Sequence, residues 1–305
     1  FIGSLDGNTI DARPLIVNNK TTSQGGGIFA TGSSTKLDIR NALIANNDGG
    51  GIGGGMMVRD QARVKMGRNL RRCQGTTCSR LVDNVAYSGG GIGVANAGVV
   101  QISATRIEGN QATGGGSAYL AMTNEAALIS LNNVIVNNTG ASVVEISPSG
   151  AAVPRRAEVW LLADTIADNS GGAAVINANS EGRVMLGRTI VHAEPTLPVL
   201  RRTGLLTNAQ MHCNIFHSST DLSSSEDALT AIIATPGFVN AGAGNYRLHS
   251  DAWAIDRCPA NSSFFPVDHD YLPRPVDSPL IDIHGPFDVG AYEWNPLLFA
   301  DGFES

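Results

Sequence analysis

The chain has 305 residues, of which 42% are hydrophobic and only 16% charged, with 36 glycines and a formal net charge of −6. That length allows one large or two ordinary domains, and low charge with abundant glycine suits stacked strands and tight turns, not helices. An acidic balance with no basic cluster beyond a short run at 68–72 gives no electrostatic reason to expect nucleic acid or an anionic membrane as partner.

Phe1 opens directly into strand-like sequence, so no signal peptide is expected, and a secreted protein would be present here in mature or trimmed form. No uninterrupted apolar run approaches the ~20 residues of a membrane span. From Leu15 onward one phrase recurs, an aliphatic residue followed three places later by asparagine. It ends on Asn19, Asn47, Asn84, Asn110, Asn138 and Asn169, with a worn copy at Ile190-Val191-His192-Ala193. Glycine clusters such as Gly25-Gly26-Gly27, Gly49-Gly50-Gly51 and Gly89-Gly90-Gly91 sit between copies, and alternating segments such as Val99 to Ala104 complete each cycle.

Successive phrases lie 24 to 37 residues apart, a period that marks a solenoid whose units bury their apolar faces only against neighbours. Stacked in parallel at ~4.8 Å, Ile16, Ile44, Leu81, Ile107, Ile135, Ile166 and Ile190 would form an internal aliphatic column. The six asparagines would form a turn ladder, because their amides can bond to the copies above and below and they tolerate left-handed backbone. Parallel crossovers are right-handed by default. The expectation is an all-β, right-handed parallel β-helix of about ten coils, ~50 Å long at that strand spacing. Regular repeats would cover 15–193, irregular coils 194–260, and a C-terminal capping segment with tail 261–305.

Cys73 and Cys78 bracket four residues inside the longest repeat and would staple an inserted hairpin; Cys213 and Cys258 remain as a second pair. An even count with one short loop favours disulfides and an oxidising compartment.

The Gly-Gly-x-Ile and Ile-x-x-Asn alternation resembles the repeats of the polymorphic outer-membrane protein group, bacterial surface β-helices, although isoleucine replaces their usual phenylalanine and no barrel follows. Near the C-terminus, Pro236-Gly237-Phe238-Val239-Asn240, Tyr246-Arg247-Leu248, Ala254-Ile255-Asp256 and Asp288-Val289-Gly290-Ala291-Tyr292-Glu293 are similar, in order, to the last coils of secreted pectate-lyase-like, choice-of-anchor β-helix proteins. The tail from Leu298 to Ser305 resembles short endings of some secreted gammaproteobacterial proteins. These likenesses imply a bacterial, secreted or surface location.

Aligning Asp164 to Asp168 on Arg188 to His192 sets Asp164 beside Arg188 and Asp168 beside His192, with Asp83 and Asn137 in the Asp168 column. If the chain is an enzyme, this is the candidate acid/base constellation, and it is also what a polar turn column looks like. A second cluster is Asp268, His269 and Asp270 with Asp256, Arg274, Asp282, His284 and Asp288, in which Arg274 against Asp288 or Asp270 would close the last coil. No cofactor is read from the residues; calcium enters only for a lyase, which the fold resemblance would allow, and needs several converging carboxylates. Trp160, Trp253 and Trp294 read as core or cap positions more than as sugar platforms.

The favoured expectation is an adhesin-like protein binding extracellular polysaccharide or a cell-surface partner. A polysaccharide lyase or glycoside hydrolase using the groove, and a structural filament or spacer subunit, are the alternatives. The sequence leaves the oligomeric state open.

Overall fold

The computed structural model describes residues 14–68, 78–147, 156–178, 182–202, 208–217, 230–233, 235–260, 266–276 and 284–295. Within them the chain is an all-β parallel solenoid with three long sheets, two of seven strands and one of nine. Seven strands on a face make six coil-to-coil steps, so the solenoid has about six turns instead of ten. The expected count failed because most of the chain after Phe216 does not keep stacking.

Each coil runs from the ladder sheet (Leu15–Val17, Leu43–Ala45, Arg80–Val82 and their successors) to a second sheet that includes Met56–Arg59 and Ser142–Ile146. It then passes to a third sheet that includes Val99–Ser103 and Ala157–Leu162. Pairing is parallel and in register from coil to coil. In the third sheet, burial alternates residue by residue, as along Val99–Ser103, so Val100 and Ile102 point inward. Ile44, Leu81, Ile107, Ile135 and Ile166 fill the middle of the ladder-sheet strands and belong to one continuous core. Burying each such side chain contributes roughly 1.5–3 kcal/mol.

At the turn after each ladder-sheet strand, two roles fall on neighbouring residues. Asn18, Asn46, Asp83, Gly109, Asn137 and Asp168 adopt left-handed backbone, with φ between 51° and 66°, the region Asn, Asp and Gly tolerate best. The next residue turns its side chain inward to make the ladder. Nδ2 of Asn47 donates to Oδ1 of Asn84 at 2.9 Å, Asn84 to Asn110 at 2.9 Å, and Asn110 to Asn138 at 2.9 Å. Each backbone N–H follows the same path, as from Asn110 to Asn138 Oδ1 at 2.9 Å. The series begins at Asn19 and ends at Asn169, whose amide donates to the carbonyls of Ile135 and Ala167.

The glycine clusters serve close approach as much as turning. A Cβ on Gly54 would lie 2.4 Å from the carbonyl oxygens of both Gly90 and Val85, so a side chain there would force neighbouring coils apart.

Cys213 and Cys258 form a disulfide across 45 residues. Cys78 is also disulfide-bonded; its expected partner Cys73 lies outside the described residues, as do Asp282 and the tail from Leu298. Among the described residues no helix is long and apolar enough to cross a membrane.

Candidate functional site

Beyond the short strand Ala231–Ile232, which still pairs in parallel with Ile215–Phe216, described segments lie along the outer face of the ladder sheet. Contacts trace their path down the solenoid. Arg188 Nη2 donates to Pro259 O at 2.7 Å, Ala291 N to Thr165 Oγ1 at 2.9 Å, and Asn132 Nδ2 to Val267 O at 2.8 Å. Farther along, Arg106 Nη1 donates to Gly244 O at 3.1 Å and Arg68 Nη1 to His269 O at 3.0 Å. The sheet accepts this strap because its outer face is apolar there: Val134, Val136 and Ala167 pack with Tyr246, Ala291 and Tyr292.

Every residue of Asp288-Val289-Gly290-Ala291-Tyr292-Glu293 has a part in this docking. Asp288 accepts the backbone N–H groups of Asp256 and Trp294. Gly290, at φ 101°, donates to Arg188 O, and a Cβ there would meet Ile190 Cδ1 at 2.7 Å. Glu293 pairs with Arg274 at 3.2 Å, both side chains fully buried, and Arg274 also donates to Gly290 O at 2.6 Å. Arg274 therefore closes on Glu293, not on the carboxylate of Asp288 or Asp270 expected from sequence; Asp270 is paired with Arg247 at 2.8 Å. Burial raises the carboxyls of Asp288 and Glu293 above their ordinary range, and that of Asp268 to about 6.

The first predicted constellation assembles only in part: Asp168 still acts on His192 through its charge, whereas Asp164 and Arg188 are not set side by side. Thr165 pairs with Ile190 and Ala167 with His192, one residue away from the register read in the sequence, and a one-residue slip exchanges the faces of a strand. Val191 takes the interior position while Ile190 points out against the strap. Asp164 consequently stands beside Thr189, whose hydroxyl accepts its N–H at 3.4 Å, not beside Arg188. It belongs to a second interior ladder that the sequence reading missed: Asn133 N donates to Asp164 Oδ1 at 2.7 Å, and Thr189 N to Asn214 Oδ1 at 3.0 Å. Asp164 is fully buried, its carboxyl pushed up to about 7 by that burial.

Arg188 lies with its guanidinium 4.1 Å from the Phe287 ring centroid, and burial lowers it to about 10. Asp168 is exposed and accepts the Tyr246 hydroxyl at 2.7 Å. His192 is half-buried, edge-on to Phe238 at 6.2 Å and to His217 at 6.4 Å, and burial lowers its pKa. Among the described residues no three His, Cys, Asp or Glu side chains converge to hold a metal, so these residues offer no calcium seat.

The chemistry gathers elsewhere. Between the strap and the ladder sheet lies a cleft of about 400 Å³, within the range of small-ligand sites. Four guanidiniums line it, those of Arg68, Arg80, Arg106 and Arg247, against the carboxylates of Glu108 and Asp270, with Tyr292 alongside. Arg80 and Arg106 pair in register on adjacent coils and share Glu108: Arg106 Nε reaches it at 2.7 Å and Nη2 at 3.1 Å, and Arg80 Nη2 at 3.2 Å. Their charges hold the Glu108 carboxyl below its usual value, with the Arg106 hydrogen bond the largest cause. Arg247 lies over Tyr292 at 5.0 Å. The signal available in sequence was the basic residue immediately before the aliphatic marker in two consecutive phrases, Arg80-Leu81 and Arg106-Ile107; its partners from the strap are remote in sequence and carry no such mark.

Comparison with known proteins finds no matching family model, no matching curated protein and no matching solved structure.

Proposed function

We propose that the chain is a secreted or surface-displayed β-solenoid that holds an extracellular polysaccharide without cleaving it. The observation that carries this reading is the basic, tyrosine-flanked cleft between strap and ladder sheet. Asp164 lies in an interior ladder, Arg188 bonds the strap and Asp168 accepts from Tyr246, so the predicted set is divided; His192, half-buried and under the charge of Asp168, is the member that the assay below must test. Coil spacing of ~4.8 Å is of the order of one sugar ring, which suits recognition of a repeating chain. The disulfide Cys213–Cys258 accords with an oxidising compartment. A polysaccharide panel of uronate, sulfated and neutral polymers tests the reading, with retention on immobilised polymer, unsaturated product and reducing ends followed together. Retention without product is expected. Product whose formation is lost in His192→Ala or Asp168→Ala would overturn the non-catalytic reading in favour of a lyase or hydrolase.

A further inference from the structure

We infer that the cleft selects acidic saccharides, binding a carboxylate or sulfate of the sugar through Arg80 while Glu108 acts as an internal placeholder for that anion. The inference rests on the glycan-binding reading above and narrows it to one class of ligand.

Four guanidiniums face two carboxylates around the cleft, so it presents an excess of positive charge on a chain whose net charge is −6. The donors are unequally used. Arg106 is filled by Glu108 and Gly244 O, and Arg247 by Asp270 and Asn245. Arg80 holds Glu108 through one Nη alone, and its Nε has no hydrogen-bond partner. Guanidinium forks bind carboxylate and sulfate best when two donors act together, and Arg80, with one bond to Glu108 and a buried, unpartnered Nε, has that capacity left once a ligand acid takes the place of Glu108. Glu108 sits where a ligand oxyanion would bridge neighbouring coils; its carboxylate neutralises the arginines until a ligand acid competes for them.

The tyrosines favour a sugar over a nucleic acid. Tyr246 and Tyr292 already lie under Arg106 and Arg247, at 5.7 Å and 5.0 Å, which takes up faces that bases would need for stacking.

Calorimetric titration with tetragalacturonate, a sulfated galactose tetramer, the matched neutral galactose tetramer, inorganic sulfate and a short oligothymidylate tests the proposal. The two acidic saccharides are expected to bind at least about tenfold more tightly than the neutral one, and more weakly as salt is raised. Arg80→Gln should weaken them by a similar factor, and Glu108→Gln should strengthen them; melting curves of both variants establish that each is folded. Should Arg80→Gln fail to fold, the gain in Glu108→Gln carries the test. Tight binding of the neutral tetramer alone would overturn the acidic selectivity and leave glycan binding standing. Binding of none of the saccharides, alongside no retention on any polymer of the panel, would overturn both. Inorganic sulfate binding as tightly as the saccharides, or oligothymidylate doing so, would overturn the assignment to a sugar.

Discussion

Asp164 shows how a single substitution reads differently from inside a solenoid. It occupies a column otherwise held by Asn133, Thr189 and Asn214, each of which offers a neutral oxygen to the N–H of the coil before. A carboxyl is costly to ionise there, and burial raises its pKa from 3.8 to about 7. Because the folded value exceeds the unfolded one, the stabilisation is complete below about pH 4 and is lost as pH rises through about 7. Asp164→Asn keeps the acceptor and never ionises. It should raise stability at pH 8 by about 2–4 kcal/mol and by little at pH 4, as read from denaturant midpoints at the two pH values. The asparagine ladder gives a second expectation at this scale. Asn110→Ala removes two buried acceptor and two donor bonds and should cost about 3–5 kcal/mol. Asn19→Ala, at the exposed edge of the ladder, should cost under about 1 kcal/mol. The aliphatic columns and the asparagines were legible in the sequence because each repeats at one position of the phrase. The slip at Ile190 was not, since Ile190 and Val191 are equally apolar and only the strap decides which faces out.

The strap is the element whose role the sequence concealed. Its motifs were visible, yet their order suggested further coils, and nothing local indicates that they return along an outer face many residues earlier in the chain. The one local sign was burial on both faces of Val134–Val136, an unbroken apolar triplet where a strand exposed on one side would alternate. The Arg274–Glu293 pair, fully buried, holds the strap in place. Removing one partner of such a pair costs about 3–5 kcal/mol, whereas replacing both with apolar residues is often near neutral. Arg274→Met alone should release the strap to protease and quench the difference in Trp294 fluorescence between folded and unfolded chain; Arg274→Met with Glu293→Leu should restore protection. The disulfide ties the strap's start to the last coils across 45 residues. On chain-entropy grounds its reduction should cost about 4 kcal/mol, seen as a lower melting temperature in reductant.

For the whole molecule, the solenoid supplies a rigid face with side chains repeated coil by coil, and the strap converts one stretch of that face into a cleft. Most of the fold was therefore readable from periodicity, whereas the candidate site was not, because it joins residues of the coils to groups more than a hundred positions away. Arg106 links both halves, bonding Glu108 on its own strand and Gly244 on the strap. The central claim is that this cleft is where the molecule meets its ligand. Hydrogen exchange measured with and without tetragalacturonate tests it most directly. Added protection confined to 78–82, 106–108, 243–247 and 268–270 is the predicted result; protection centred on the third sheet, with these segments unchanged, would contradict it.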